Sequence, residues 1–241
     1  MKYAVISDIH SNLEALEAVL AEIENSGIQD IVFIGDAVGY GPNPNECTEI
    51  LAGKCGTLVA GNHDWAAIGL SDFSFFNEYA RRAVEWTSAV LEDRNREILR
   101  SMPLTNEDRN RDAFFVHATP RRPEEWSYLM NLWDAEQNFY SFDTKVCFVG
   151  HSHQPFIVEK TPSGEIVAHA ESVSIKADCR YLINAGSIGQ PRDGDPRACF
   201  ALVDGDKVVI KRVPYDVERV QDKMRQELLP NPLIERLAVG R

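Results

Sequence analysis

Short apolar runs alternate along the chain with segments in which apolar residues recur at helical spacing. The runs with strand character occupy residues 3–7, 30–35, 57–61, 113–117 and 146–150. The clearest helical segments are residues 11–27, whose leucines share one face, and residues 72–102. Strands that alternate with helices are typical of an α/β domain, and we expect that fold class here.

Capping and turn residues mark the ends of the first helices. Ser11 and Glu14 have the spacing of a capping box at a helix start, and Gly27 is a stop signal. Asn43 followed by Pro44 predicts the start of another helix, because proline is favoured at the first helical position.

The last third of the chain is rich in strand-like runs. These runs occupy residues 156–160, 165–172, 181–186, 198–205 and 207–215. Glycine and aspartate turns separate them, which favours antiparallel pairing. A final helical segment begins at Val217 and ends near Pro230. Neither a repeat nor a linker divides the chain, so one domain is expected over residues 1–241.

Charge and composition exclude several classes of function. The 241 residues carry a formal net charge of -12, and a surface for long nucleic acid would need a basic stripe instead. A small phosphorylated substrate is not excluded. No apolar run approaches the roughly 20 residues of a membrane helix, and the start of the chain reads as a strand, not a signal peptide. The five scattered cysteines indicate reduced, structural thiols in a cytoplasmic protein.

Side chains that commonly bind metals follow five of the predicted strands. These residues are Asp8, His10, Asp36, Asn62, His63, Asp64, His117, His151 and His153. In α/β sheets the carboxyl ends of the strands share one edge, so residues far apart in sequence are expected to converge. The sixth histidine, His169, lies in an alternating segment without such neighbours, and we interpret it as structural.

The donor types at the strand ends predict a site for divalent metals. Imidazole, carboxylate and amide oxygen suit Mn, Fe, Zn, Ni or similar ions, and without thiolates a cysteine-type zinc site is not expected. Seven such ligands are too many for one ion. Two ions sharing one carboxylate would leave positions open for water and substrate in a phosphoryl transfer. Taken singly, Asp36 could instead open a turn and Asn62 could cap a helix.

In order along the chain, these motifs resemble those of the calcineurin-like metallophosphoesterases, in particular the small bacterial and archaeal members. The matching residues are Asp8-x-His10, Gly35-Asp36, Gly61-Asn62-His63-Asp64, His117 and Gly150-His151-Ser152-His153. Each motif is weak alone, whereas the ordered set over residues 8–153 is specific. The resemblance implies an α-β-β-α sandwich, in which two packed mixed sheets are flanked by helices.

The resemblance also implies a role for each matching residue. Asp8, His10, Asp36 and His153 would hold a first ion, and Asp36 would bridge to a second ion completed by Asn62, His117 and His151. Manganese is the expected metal, with Fe, Zn, Ni, Co or Mg as alternatives. A hydroxide bridging the ions would attack phosphorus. His63 would act as general acid with Asp64 orienting it, although Asp64 could instead be a charge at a helix N-terminus.

Three further stretches are candidates for contact with substrate. The Gly-rich segment 184–198 carries Arg192, which suits phosphate oxygens, although the glycines also fit a simple turn. Asn62 and His63 are expected beside the same phosphate, with Tyr40 lining the site. Arg121 and Arg122 either extend a positive rim or are solvated surface charges.

The expected function is hydrolysis of a phosphodiester or phosphomonoester in a small-molecule or peptide-borne substrate, with some preference for diesters. A protein Ser/Thr phosphatase and a dinucleoside-polyphosphate hydrolase remain open within this class. A non-catalytic scaffold of the same fold and a metal hydrolase of C–N or C–O bonds are alternatives outside it. The sequence does not indicate an oligomeric state, and neither long nucleic acid nor a membrane is an expected partner.

Overall fold

A computed structural model describes residues 1–241 as two sheets with helices on their outer faces. The strands in chain order are β1 (Lys2–Ile6), β2 (Ile31–Ile34), β3 (Thr57–Val59), β4 (Thr105–Asp108), β5 (Ala113–Val116), β6 (Val146–Val149), β7 (Phe156–Lys160), β8 (Ile166–His169), β9 (Ser172–Ser174), β10 (Arg180–Asn184), β11 (Ala198–Asp204) and β12 (Lys207–Val213).

Eight α-helices connect or follow these strands. They are α1 (Leu13–Asn25), α2 (Pro44–Lys54), α3 (Asn62–Ala67), α4 (Glu78–Val90), α5 (Asp93–Ser101), α6 (Leu132–Asn138), α7 (Val217–Gln226) and α8 (Asn231–Glu235), with 3-10 turns at Pro123–Glu125 and Arg236–Ala238. None of the helices combines the length and the apolar character that crossing a membrane requires.

Each sheet has six strands and is mixed. The first has the order β3-β2-β1-β11-β12-β9, in which β1, β2 and β3 run parallel and the other pairs are antiparallel. The second has the order β4-β5-β6-β10-β7-β8, in which β5, β6 and β10 run parallel. The strands that precede the predicted metal ligands are therefore the parallel ones of both sheets.

The two sheets pack face to face. Strand β1 shows how: Tyr3 and Val5 point into the layer between the sheets, while Ala4 and Ile6 point towards the helices. Across the layer, the rings of Tyr3 and Phe148 meet edge-on with centroids 6.2 Å apart. Both faces of the strand are buried, which explains its uninterrupted apolar sequence.

Helices cover the outer face of each sheet. Apolar side chains of α1, α2 and α5 pack on the first sheet, and those of α6 pack on the second. The order of layers is thus helix, sheet, sheet, helix, and the predicted α-β-β-α sandwich is confirmed.

The predicted capping of the first helix is wrong by one residue. Asn12, not Ser11, is the N-cap, and its side chain accepts a hydrogen bond from the Ala15 N–H at 3.1 Å. Glu14 does not close a capping box, because its carboxylate lies against Lys223 of α7 at 2.6 Å. The predicted stop at Gly27 is confirmed, since this residue has φ +69° just after the helix.

Other differences follow from tertiary pairing. The helical segment 72–102 is two helices, broken after Val90. Strand β4 was not predicted because its sequence, TNED, is polar, as suits an edge strand. Antiparallel pairing is confirmed among the strands of the last third, where β7 pairs with β8 and β10, and β12 pairs with β11 and β9. In addition, β10 runs parallel to β6, which was not predicted. Segment 165–172 was predicted as one strand; it contributes β8 to the second sheet and the start of β9 to the first.

Candidate metal centre

The ends of β1, β2, β5 and β6 bring the predicted ligands into two adjoining groups. One group is Asp8, His10, Asp36 and His153, and the other is Asp36, His117 and His151. Within each group the potential ligand atoms lie within 4.8 Å of one another, and all of these side chains are buried. Asp36 belongs to both groups, which is the position of a shared ligand.

Unusual backbone geometry aims these side chains. Asp8, His10, Asp36, His151 and His153 have φ values of 54°, 48°, 61°, 65° and 59°. Left-handed conformations are uncommon for residues other than glycine and cluster at functional sites. Residues 151–153 are therefore not an extended continuation of β6. The two histidines reach the centre from consecutive tight bends, while the Ser152 hydroxyl accepts a hydrogen bond from Asn184.

The hydrogen bonds of the first group fix the histidine tautomers. His10 Nδ1 lies 3.1 Å from the Val38 carbonyl oxygen, and His153 Nδ1 lies 2.6 Å from the Gln190 carbonyl oxygen. A carbonyl oxygen only accepts, so both Nδ1 atoms carry the hydrogen. In the neutral rings both Nε2 atoms then present lone pairs, and they face each other at 3.0 Å. Two lone pairs at this distance call for a cation between or beside them.

The second group has the same arrangement. His117 Nδ1 lies 2.9 Å from the Ile34 carbonyl oxygen, and His151 Nε2 lies 2.9 Å from the Trp126 carbonyl oxygen. His117 Nε2 and His151 Nδ1 are the remaining nitrogens, and they face each other at 3.2 Å. Backbone carbonyls thus orient all four rings, as they commonly orient histidines that bind metals.

The carboxylates complete both groups. Asp36 Oδ2 lies 3.2 Å from His117 Nε2 and 3.6 Å from His10 Nε2, between the two groups. Its other oxygen accepts from the His63 N–H at 2.9 Å, which fixes the carboxylate plane. Asp8 Oδ1 is buried without a hydrogen-bond partner, 3.2 Å from His153 Nε2. An orphaned carboxylate oxygen beside imidazole lone pairs fits a divalent ion.

The ionisation of these groups also favours the binding of a cation. Burial raises the pKa of Asp36, but the charges of His117 and His63 outweigh it and hold that pKa well below its usual range. Burial lowers the pKa of His10 and His153, and it lowers that of His151 to about 3. Burial also lowers the pKa of His117, but the charges of Asp36 and Asp8 outweigh burial and raise this pKa to about 9. Two buried carboxylates beside a single charged imidazole require further positive charge, and a metal would supply it.

Asn62 is the seventh predicted ligand, and it begins α3 directly after Gly61. Its Oδ1 atom is buried and has no hydrogen-bond partner, the state expected of an amide oxygen available to a cation. Gly61 explains the tight approach of this turn to Asp36. A Cβ atom at Gly61 would lie 2.1 Å from Asp36 Oδ1 and 2.4 Å from Asp36 N.

His63 lies beside the two groups and belongs to neither. Its ring contacts those of Tyr40, Phe76 and His10, with centroids 4.5, 4.8 and 4.9 Å away. Burial lowers its pKa to about 4, although the charge of Asp36 opposes this shift. Nδ1 lies against Gly39, where a Cβ atom would be only 2.5 Å away, so Nε2 is the nitrogen left to face a substrate.

Asp64 does not orient His63, contrary to the sequence-based expectation. Its carboxylate accepts from the backbone N–H groups of Asp36 and Gly61 at 2.9 Å and of Val38 at 3.2 Å, and it makes neither a hydrogen bond nor an ion pair with His63. Burial, with the charge of Asp36, raises its pKa to about 7 against these donors. The alternative interpretation, a carboxylate at a helix N-terminus, describes it: Asp64 fixes the turns that carry Asp36 and Asn62.

The structure places Arg192 at the rim of the centre. Its guanidinium lies 5.7 Å from the Tyr40 ring centroid, donates to Gln190 Oε1 at 2.9 Å, and has a buried Nε without an acceptor. No carboxylate lies within 4.0 Å of it, so its charge is available to an anion. Arg192 is therefore brought to the site, and Tyr40 lines the site as expected.

Sequence reasoning missed the aromatic residues of segment 119–131. Trp126 supplies the carbonyl that orients His151, and the Tyr128 ring stacks on His151 with centroids 4.1 Å apart and 20° between planes. Phe76, against His63, was also missed. In the structure these residues lie outside the helices and strands, so their place beside the centre could not be inferred from helical or strand periodicity. His169, expected to be structural, lies outside both groups and pairs with Glu159 at 3.0 Å.

Comparisons with known proteins agree with this geometry. A sequence profile of the calcineurin-like phosphoesterase superfamily domain matches residues 1–207. An uncharacterized protein of Methanocaldococcus jannaschii is 42% identical over 242 residues, with 99% of this chain and 98% of the relative covered. The crystal structure of a metallophosphoesterase from Sphaerobacter thermophilus superposes with a TM-score of 0.87 at 40% identity, covering 100% of this chain and 99% of the other.

A hypothetical protein from Pyrococcus horikoshii shares the fold, with a TM-score of 0.81 at 24% identity and coverage of 100% and 98%. The match to the superfamily profile and the two relatives above 30% identity extend over most of the chain. The chain therefore belongs to the calcineurin-like phosphoesterase superfamily.

Proposed function

We propose that the protein is a hydrolase of phosphoesters that works with two divalent metal ions. The observation that carries this proposal is the pair of facing imidazoles in each group, His10 with His153 and His117 with His151, each fixed with its lone pair towards the other. Asp36 lies between the pairs. Two cations that share this carboxylate would satisfy both pairs at once.

The proposed ligands divide between two ions. Asp8, His10, Asp36 and His153 would hold one, and Asp36, Asn62, His117 and His151 would hold the other. The imidazole-rich donor set favours a transition metal, with manganese as first choice and Fe, Zn, Ni, Co or Mg as alternatives. When bound, such ions lower the pKa of a coordinated water and stabilise charge on phosphoryl oxygens.

The protein's own residues place and protonate the substrate. Arg192 attracts the phosphate with a guanidinium that no carboxylate neutralises, and the Asn62 amide borders the same space. His63 Nε2 faces the phosphate and gives its hydrogen to the departing oxygen, while Tyr40 and Phe76 fix the ring on either side. The ring is neutral at neutral pH until a substrate anion draws a proton to it, because burial lowers its pKa.

The substrate is proposed to be a small-molecule or peptide-borne phosphoester, with diesters favoured over monoesters. Long nucleic acid is not a proposed substrate, since the net charge is -12. All five cysteines are free thiols, which is consistent with a cytoplasmic location.

A pair of chromogenic esters tests the proposal. We expect the purified protein to hydrolyse bis-p-nitrophenyl phosphate, and more weakly p-nitrophenyl phosphate, when Mn²⁺ is added and not in EDTA. His63→Ala should lower kcat by about 10²–10⁴-fold while the bound manganese is unchanged, because its ring is a proton donor and not a ligand.

His169→Ala is the matched control, since this histidine pairs with Glu159 away from the centre and should leave kcat unchanged. If no phosphoester is hydrolysed with any divalent metal, the enzyme proposal fails and a non-catalytic scaffold is favoured. If His63→Ala keeps full kcat, the proposed proton donor is wrong although the enzyme assignment stands.

A further inference from the structure

A pocket of about 240 Å³ lies next to the metal centre. It is formed by the segment that follows β5, between the 3-10 turn at Pro123–Glu125 and helix α6. The side chains that matter here are Arg121, Tyr128, Trp133 and Gln137. None of them belongs to the proposed ligands, and the chemistry at His63 does not use them.

Tyr128 connects this pocket to the metal centre. One face of its ring stacks on His151, with centroids 4.1 Å apart and planes 20° from parallel. The same side chain lines the pocket and is 52% exposed. A substrate whose phosphate lies beside His151 and Arg192 therefore needs to extend past only one ring to enter the pocket.

Two aromatic rings of the pocket are left open to solvent. Trp133 is 67% exposed, and Tyr128 is about half exposed. Most of a protein's large aromatic side chains are covered, so exposed rings lining one pocket point to a ligand that covers them. A planar ring that stacks on these faces has the matching shape, as bases do on the aromatic side chains of nucleic-acid-binding proteins.

The pocket also offers one unneutralised cation. Arg122 is paired with Glu125 at 2.9 Å, and the Asp134 carboxylate accepts from the Met130 N–H at 3.0 Å. Arg121 has no carboxylate within 4.0 Å. Its guanidinium is thus available to a negatively charged group, and phosphate is the group it binds best.

We propose that this pocket binds the base of a nucleotide in the substrate, which stacks on Trp133 and Tyr128, while Arg121 attracts the phosphate that this nucleotide presents to the metal centre. The scissile phosphate would then lie at the metal centre, and the substrate would be a phosphoester that carries a nucleotide on one side. This inference rests on the proposed function for the place of the scissile phosphate. The amide of Gln137, which lines the pocket without a hydrogen-bond partner in the protein, is in place for the polar edge of the base.

Binding of AMP and of inorganic phosphate to the Mn²⁺-loaded full-length protein tests the pocket by calorimetry. Phosphate occupies only the metal centre, whereas AMP also stacks in the pocket. We expect AMP to bind at least about tenfold more tightly than phosphate. Trp133→Ala should abolish most of this preference for AMP over phosphate, and Arg121→Ala should reduce the preference several-fold.

Two exposed residues provide matched controls. Tyr140 is an aromatic residue with 73% exposure that does not line the pocket, and Arg109 is an arginine paired with Glu107 on the β4–β5 turn. Tyr140→Ala and Arg109→Ala should keep the wild-type ratio of AMP affinity to phosphate affinity. Equal affinities for AMP and phosphate, or a Trp133→Ala ratio equal to that of Tyr140→Ala, would overturn the pocket assignment.

The same experiment separates this inference from the proposed function. If the protein hydrolyses chromogenic esters but shows no preference for AMP over phosphate, the pocket assignment fails alone. If no ester is hydrolysed while AMP is preferred and Trp133→Ala abolishes that preference, the pocket stands as a nucleotide site and the enzyme assignment fails.

Discussion

At the scale of single residues, hydrogen bonds to backbone carbonyls explain the centre better than residue type does. A histidine at a strand end has many possible roles, and only its partners decide among them. Here Val38, Gln190, Ile34 and Trp126 each accept a hydrogen bond from one imidazole. The nitrogen on the other side of each ring is thereby left as a lone pair aimed at the centre.

Residue types and their order predicted which side chains converge, but not how they are held. Asp8, His10, Asp36, His117, His151 and His153 form the two groups. The role of Asp64 was not predictable because it depends on three backbone donors, two of which lie more than 25 residues away in the chain. The left-handed backbone conformations of the ligands were equally unpredictable, since nothing in the local sequence requires them.

Gly61 offers a sharp test at the residue scale. Gly61→Ala places a methyl group 2.1 Å from Asp36 Oδ1 and 2.4 Å from Asp36 N, and this backbone has no room to move because Asp64 fixes it from the other side. We expect the affinity for Mn²⁺ to fall at least about tenfold and the free energy of unfolding to fall by about 1–3 kcal/mol. Calorimetric metal titration and denaturant unfolding measure these two effects.

Gly53 is the matched control for that substitution. It lies in α2, and a Cβ atom there would contact nothing within 4 Å. Gly53→Ala should leave metal affinity unchanged and raise the unfolding free energy by about 0.4–1 kcal/mol, because alanine restricts the unfolded chain. Equal metal affinity in the two variants would contradict the role of Gly61.

At the scale of elements, helix α7 is attached to α1 through one buried carboxylate. Glu14 is 8% exposed, and its side chain lies 2.6 Å from Lys223 Nζ and 3.1 Å from Arg219 Nε. Lys223 also donates to Asn43 Oδ1 at the start of α2, so this contact connects three helices. The capping box predicted from Ser11 and Glu14 failed because this tertiary pairing takes the carboxylate away from the helix start.

Removing that carboxylate should loosen the C-terminal helices. We expect Glu14→Ala to lower the unfolding free energy by about 1.5–3 kcal/mol, since a charged hydrogen bond is lost and the half-buried Lys223 keeps only the Asn43 amide oxygen as an acceptor. Denaturant unfolding followed by circular dichroism measures the change. Glu17→Ala is the control, because Glu17 is on the exposed face of the same helix and makes no ion pair. Equal destabilisation by both substitutions would mean that the Glu14 pairing contributes nothing specific.

Strand pairing shows how far elements were predictable. The parallel strands at the site lie in apolar runs of the sequence and were all recognised, whereas the polar edge strand β4 was not. The parallel pairing of β10 with β6 could not be predicted either, because it depends on the two strands between which β10 lies in the sheet. The sequence pattern therefore predicted the strands that carry the ligands but not the pairing of the strands at the periphery of the sheets.

At the scale of the whole molecule, the metal centre lies where the two sheets meet. Asp8, His10 and Asp36 follow strands of the first sheet, while His117, His151 and His153 follow strands of the second. Each proposed ion thus takes ligands from both sheets and would hold the sandwich together at this edge. The ordered motifs implied this layering through family resemblance, whereas hydrophobic periodicity alone indicated only an α/β domain.

The central claim is that the centre holds two ions with Asp36 shared between them. Anomalous diffraction from crystals of the Mn²⁺-loaded protein tests it most directly. We expect two anomalous peaks per chain, one contacted by Asp8, His10 and His153, the other by Asn62, His117 and His151, and both by Asp36. A single peak, or two peaks of which only one contacts Asp36, would contradict it.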